Sequence, residues 1–199
     1  MRLSEKTIEL NFCGQATARL GRAAFWFGLT QRQEARAGFD AATRLGHRVI
    51  LLQFKASNTL LNGGARRFHL SHWQLDALRV CAAGSRRRSA FYVFPDIGET
   101  GDLPAANWNL LMSSWLLDVT DLDALGPPTT PSGTPRRSGR HYADLTPPTV
   151  TVHSEPTTAE VISAELFFSE GALGADGIDL GLDRMEESIR GDRERRRLS

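Results

Sequence analysis

The stretch Gly38-Phe39-Asp40-Ala41-Ala42-Thr43-Arg44-Leu45-Gly46-His47-Arg48-Val49-Ile50-Leu51-Leu52-Gln53-Phe54-Lys55-Ala56 decides how the chain is built. Residues 39–44 and 48–56 are strand-like, and Leu45-Gly46-His47 between them suits a tight hairpin. With the turn centred on Gly46 or just after it, residues whose numbers sum to 92 or 93 face each other, which sets Asp40 opposite Leu52 or Gln53. Strand side chains alternate, so Leu51, Gln53 and Lys55 go to one face and Ile50, Leu52 and Phe54 to the other. A glutamine and a lysine therefore share one face of an otherwise apolar strand.

Upstream, Ser4 can cap a helix from Glu5 to about Leu20, in which Ile8, Phe12, Ala16 and Leu20 recur four apart and Gly21 is placed to stop it. Glu5 and Glu9 share a face of that helix, a small repulsive cost unless something positive stands before them. Residues 24–29 read as a short strand or buried turn, and residues 30–36 as a loop or short helix. Downstream come a loop at 58–65 and a strand at 66–70, and Ser71-x-x-Gln74 is a capping box that opens a helix through Cys81. The apolar run 89–94, closed by Pro95, has the character of a central strand covered on both faces. Helix, hairpin, strand, helix and buried strand in that order predict an α/β or α+β fold with helices packed on a mixed central sheet.

Beyond Asp96 the pattern is less regular. Residues 115–119 form a further expected strand, and residues 1–125 are read as the core. Residues 126–140 (GPPTTPSGTPRRSGR) are expected to be a Pro-, Gly-, Ser- and Thr-rich loop or linker. Residues 141–170 are expected to be a strand–helix extension, with strands at 141–145 and 149–153 and a helix opened by Thr157-x-x-Glu160. Residues 171–199 are read as a flexible tail. Trp26, Trp73, Trp108 and Trp115 are too scattered for a stacking platform and are read as core.

Composition bounds the partners. With 41% hydrophobic and 24% charged residues the chain is that of a soluble globular protein. No apolar run reaches the roughly 18 residues of a membrane span, and Arg2, Glu5 and Lys6 occupy an N-terminus that a signal peptide would keep apolar, so a cytoplasmic location is expected. Cys13 and Cys81 are expected to be free thiols. Residues 1–100 carry 15 Lys and Arg against 7 Asp and Glu, and residues 101–199 carry 9 against 16. The basic front half favours a polyanion such as nucleic acid, and the acidic second half offers a surface for a protein partner or a homodimer.

A helical glutamate (Glu9, or Glu5), Asp40 on one strand and Gln53-Phe54-Lys55 on the next resemble the PD-(D/E)XK nuclease superfamily. The likeness is to the branch related to Mrr-type restriction endonucleases, in which Gln replaces the second acid. The resemblance covers residues 4–96 and implies a restriction endonuclease-like core. It makes Asp40 the principal metal ligand, Gln53 a side-chain ligand, Lys55 the residue that positions or activates water, and Glu9 an auxiliary acid. It implies a Mg²⁺-dependent (or Mn²⁺-dependent) endonuclease acting on DNA, in restriction or other defence against foreign DNA.

The chemistry supplies its own reasons for these residue types. Phosphodiester hydrolysis needs a hard cation to neutralise phosphate charge and lower the pKa of water, and Mg²⁺ takes one or two carboxylates, other oxygens and several waters. Cross-strand partners hold Cβ atoms about 4.5–5.5 Å apart, close enough for Asp40 and Gln53 to offer two such oxygens. Lys55, two residues along, places a cation beside them. Gln53 is neutral, which leaves one negative charge fewer than an acidic pair, so a catalytically inactive nuclease-like module that binds nucleic acid or a protein is the alternative. Arg66, Arg67, Arg86, Arg87 and Arg88 are the candidate phosphate contacts. His69 and His72 straddle an expected strand-to-helix junction, which argues against a metal pair.

Overall fold

The computed structural model describes residues 1–20, 24–45, 48–83, 88–122, 124–128, 139–153 and 157–169. The first half contains α1 (Glu5–Leu20), β1 (Trp26–Gly28), α2 (Gln31–Ala37), β2 (Ala41–Leu45), β3 (Arg48–Phe54), β4 (Thr59–Leu60), β5 (Arg66–Ser71), α3 (His72–Ala82) and β6 (Ala90–Pro95). The second half adds β7 (Ser114–Asp118), a 3-10 turn (Val119–Leu122), β8 (Arg140–Thr146), β9 (Thr149–Val152), β10 (Thr157–Glu160), β11 (Ile162–Ser163) and α4 (Ala164–Ser169).

Two sheets result. The first runs β1-β2-β3-β6-β7-β11 and is mixed, with β3 and β6 parallel and its other pairs antiparallel. The second, β10-β9-β8-β5-β4, is antiparallel throughout. The protein is thus a mixed α+β fold, as the element order predicts. Of the two registers open to the hairpin, the chain takes the one in which Ala41 faces Leu52 and Leu45 faces Arg48.

The first sheet is buried on both faces, which is why β6 is apolar without a break. Ile50, Leu52 and Phe54 join Ile8, Phe12 and Ala16 of α1 and Phe167 and Phe168 of α4 in one core. Phe12 stands edge-on to Phe54 at 5.3 Å between centroids, and each such buried ring contributes about 1.5–3 kcal/mol. Leu51, Tyr92 and Phe94 face the other way, onto Leu75 and Leu78 of α3 and the inner residues Phe68, Leu70, Ala143 and Val150 of the second sheet.

Several expectations are corrected. The expected strands of residues 141–170 are β8 and β9, and this segment joins both sheets: β8 pairs with β5, and β11 closes the edge of the first sheet against β7. The expected helix from Thr157 is two short strands followed by α4, because pairing of residues 157–160 with β9 outweighs a four-residue capping signal. Trp73 and Trp108 are 57% and 64% exposed rather than core, while Trp26 and Trp115 are partly buried. The undecided segment after Leu29 is helical: Gln33 Oε1 accepts from the Thr30 N–H at 2.9 Å and so closes a capping box on α2. Cys13 and Cys81 are free, the first buried and the second partly so. Residues 129–138 of the expected linker and the tail from 170 onward lie outside the described residues. Among the described residues no helix is long and apolar enough to cross a membrane.

Candidate functional site

The site begins at Gly38, which ends α2 with φ 76°, a conformation that glycine adopts without penalty. A Cβ there would stand 2.5 Å from the Gln74 carbonyl oxygen and 2.6 Å from the Leu78 nitrogen, so glycine also allows the end of α2 to press on the first turns of α3. Two residues later the Asp40 N–H donates to the Leu52 carbonyl at 2.9 Å, which extends the hairpin register and brings Asp40 level with Gln53.

Asp40 Oδ2 accepts two bonds, one from the Phe54 N–H and one from Gln53 Nε2, both at 2.7 Å. Gln53 Nε2 donates a second time, to the Phe54 carbonyl at 3.1 Å, while its Oε1 is buried with no partner. On the same face Lys55 Nζ donates to Gln74 Oε1 at 2.8 Å and stands 6.0 Å from the centroid of the Tyr92 ring. All three side chains are nearly out of water, with Asp40 8%, Gln53 0% and Lys55 5% exposed.

Burial sets the electrostatics. It pushes the Asp40 carboxyl up to about 7, against the Phe54 N–H and Lys55, which favour the anion, and with help from Glu5 and Glu34, which oppose it. Burial also lowers the Lys55 ammonium, against the attraction of Glu5 and Asp40. The pair is a carboxyl poised near neutrality beside a weakened cation.

The helical acid that reaches this cluster is Glu5. Its Oε1 accepts from the Ala56 N–H at 3.4 Å, and its charge acts on both Asp40 and Lys55. Glu9 is buried one turn further along and held by Lys6 at 2.7 and 2.9 Å. The structure therefore brings Asp40, Gln53, Lys55 and Glu5 together and commits Glu9 to Lys6.

The expected arginines are not gathered here. Arg66 is 8% exposed and spans the Ser57 and Asp96 carbonyls at 3.2 and 3.3 Å, so it is an internal strut. Arg67 forks onto Asp144 at 2.7 and 2.6 Å on the outer face of the second sheet. Arg88 precedes β6, five residues below Val93, whose carbonyl accepts from the Lys55 N–H. At about 3.3 Å per residue the two ends of that strand are about 17 Å apart, so Arg88 lies at the opposite end of the sheet. A cleft lined by Arg88, Asp118, Asp121 and Glu160 opens there, away from Asp40. Arg86 and Arg87 fall outside the described residues. His72 is buried against His141, with Nδ1 and Nε2 2.9 Å apart, rather than paired with His69.

Gln74, Glu34 and Tyr92 belong to the site and were not read as such from the sequence. Gln74 was visible only as a capping residue, yet Ser71 makes no side-chain cap and Gln74 reaches Lys55 instead. Glu34 lies in the segment whose periodicity decides nothing, and Tyr92 in an apolar run with no polar signal.

Hard oxygens define what the cluster could hold. Among the described residues no three His, Cys, Asp or Glu side chains gather as a metal site. Asp40 and the Phe54 carbonyl, both met by Gln53 Nε2, are hard oxygens with a single carboxylate between them, which suits Mg²⁺ or Mn²⁺ retaining waters rather than Zn²⁺, and Gln53 Oε1 could join them only with its amide turned over. No protein-family model, curated protein or solved structure matches the chain.

Proposed function

We propose that the chain is a Mg²⁺- or Mn²⁺-dependent endonuclease of PD-(D/E)XK type that hydrolyses phosphodiester bonds in nucleic acid, DNA before RNA. One observation carries the reading: the Gln53 amide bridges the Asp40 carboxylate and the Phe54 carbonyl, Asp40 also accepts from the Phe54 N–H, and an unpartnered Gln53 oxygen and the buried Lys55 lie on the same face.

Asp40, the Gln53 amide oxygen and the Phe54 carbonyl would hold the cation, which when bound supplies charge neutralisation at the phosphate and a lowered pKa for water. Lys55, steadied by Gln74, orients the attacking water and stabilises charge that develops on the phosphate oxygens. Its burial makes that interaction stronger than it would be in water. Glu5, bound to the backbone just past Lys55, orients the strand end and keeps negative charge near the ammonium.

The test is cleavage of supercoiled plasmid and of a single-stranded oligonucleotide by the full chain with Mg²⁺ or Mn²⁺, alongside Asp40→Ala and Lys55→Ala. Cleavage by the wild type that both variants lose supports the reading, and cleavage that survives Asp40→Ala overturns it. The neutral Gln53 favours a second reading, an inactive nuclease-like module. Nucleic-acid binding without cleavage in either metal would decide for it.

A further inference from the structure

The outer face of the second sheet carries a row of rings. His69 of β5 pairs with Tyr142 of β8, and the His153 N–H, just past β9, donates to the Tyr142 carbonyl at 3.0 Å. The three residues are therefore cross-strand neighbours, and because strand side chains alternate they leave the sheet on one side. Phe68, Leu70, Ala143 and Val152, the residues beside them in sequence, turn the other way into the core.

This row stands in water. Tyr142 is 44% exposed, the His153 side chain 46%, and His69 is exposed. The His69 ring meets Tyr142 edge-on at 4.9 Å between centroids, and the Arg67 guanidinium lies over the Tyr142 ring at 5.4 Å. These contacts hold the phenol ring in place. Among the described residues no further ring or cation meets it, which leaves π surface open to a planar group from outside. A lone exposed ring is ordinary, but three in register across the central strands make a surface suited to stacking.

Charge on this face points the same way. The outward side chains of β5, β8 and β9 include Arg67 and Arg140 against Asp144 alone, with the two imidazoles also able to carry positive charge. Glu160 stands apart on the edge strand β10. Asp144 already answers Arg67, so phosphate contacts are few and stacking carries most of the affinity. Position joins the face to the Asp40 site, because Ser57, two residues past Lys55, donates its hydroxyl to the Arg67 carbonyl. The Arg67 end of the face thus lies beside the end of β3 that leads into Lys55.

Resting on the nucleic-acid reading of the Asp40 site, we propose that the outer face of the second sheet is a platform for single-stranded nucleic acid. An unpaired base stacks on Tyr142, its neighbours lie against His69 and His153, and a backbone phosphate meets Arg140. A base within a duplex has both faces against its neighbours in the stack and has none to offer the ring, so the platform selects unpaired strands.

The experiment measures fluorescence anisotropy of a fluorescein-labelled DNA single strand of about 20 nucleotides, and of its duplex, with the full chain in EDTA so that no cleavage intervenes. The single strand should bind at least about tenfold more tightly than the duplex. Tyr142→Leu, which keeps apolar bulk but has no π face, should weaken single-strand binding about fivefold or more, and Tyr142→Trp should keep it within about twofold. Should Tyr142→Leu fail to fold, His69→Ala on the same row decides, with an expected loss of about threefold or more. No single-strand binding, equal binding of strand and duplex, or binding that these substitutions leave unchanged overturns the platform. Plasmid cleavage that persists in any of those cases leaves the Asp40 site standing. Single-strand binding that Tyr142→Leu weakens, with no cleavage in Mg²⁺ or Mn²⁺, upholds the platform and removes only the cleavage.

Discussion

Asp40 and Asp144 are carboxylates at strand ends and strand faces of the same protein, and their surroundings pull them in opposite directions. Asp40 is buried and accepts from a backbone N–H and a neutral amide, and its burial pushes the carboxyl up to about 7. Asp144 lies on the outer face of the second sheet, where the Arg67 fork holds it below the usual carboxylate range with help from His153 at 2.6 Å. Every strong partner of Asp144 is a side chain able to carry positive charge, so its interactions are complete within the fold. Asp40 has hydrogen bonds but little compensating charge, apart from Lys55, which is itself weakened. A carboxylate of the second kind gains most from a cation that the fold does not supply.

The largest effect expected from this contrast is on the proposed cleavage of nucleic acid. Asp40→Ala and Lys55→Ala should each lower cleavage at least about a thousandfold, because groups that act as a unit fail together. Asp144→Asn should leave the rate unchanged. Plasmid-cleavage rates of the purified variants check this, and a comparable loss in Asp144→Asn would break the comparison.

Stability against pH is the next largest. The folded pKa of Asp40 lies above its unfolded value, so the stability linked to it is fully present below the unfolded value near 4 and is lost as pH rises to about 7, a change on the order of a few kcal/mol. Asp144 has the opposite sign, contributing stability above its unfolded pKa that is lost as pH falls through its lowered one. Lys55, lowered by burial, contributes in the opposite direction to Asp40, its linked stability rising with pH between its folded value and its unfolded value near 10.5. Chemical denaturation of metal-free protein between pH 4 and 7 should therefore show a decline that Asp40→Asn flattens. A decline unchanged in that variant would separate Asp40 from it.

Gly38→Ala should cost about 2 kcal/mol or more, since the added carbon meets backbone atoms at 2.5 and 2.6 Å and φ is positive. Urea melts measure it, and a cost below about 0.5 kcal/mol would show that α2 and α3 can part without penalty. The smallest expected change is that of Asp144→Asn on stability, about 1 kcal/mol, because Arg67 is partly exposed and water screens the pair. A loss several times larger would make the Arg67 fork a pillar of the second sheet.

How much of this was legible varies with the range of the interactions involved. The hairpin, its face partition and its two possible registers follow from a period of two and a turn, both local properties, and the observed Ala41 to Leu52 pairing is one of the two. α1 and the start of α3 were likewise legible from spacing and punctuation. The joining of 140–163 to β5 and β7 was not, because pairing between distant strands leaves no trace in a local window. Helix periodicity puts Glu5 and Glu9 on one face and does not choose between them, because it ignores how the helix crosses the sheet. Arg66 and Arg67 read as exposed basic residues, and only the second sheet shows one buried against carbonyls and the other neutralised.

The sequence by itself determined α1, the hairpin, β5, α3 and β6 in their order, the hairpin face that Gln53 and Lys55 share, and the opposite charge of the two halves, since each depends on periodicity, punctuation or composition alone. Only the tertiary structure decided that Glu5 approaches the end of β3, that Gln74 meets Lys55, and that the Gln53 oxygen and the Tyr92 hydroxyl are left without partners. Those facts depend on how α1 and α3 cross the sheet and on how completely the second half covers it. Hydrogen-bond partnership and desolvation are properties of packed surroundings, which no single segment encodes.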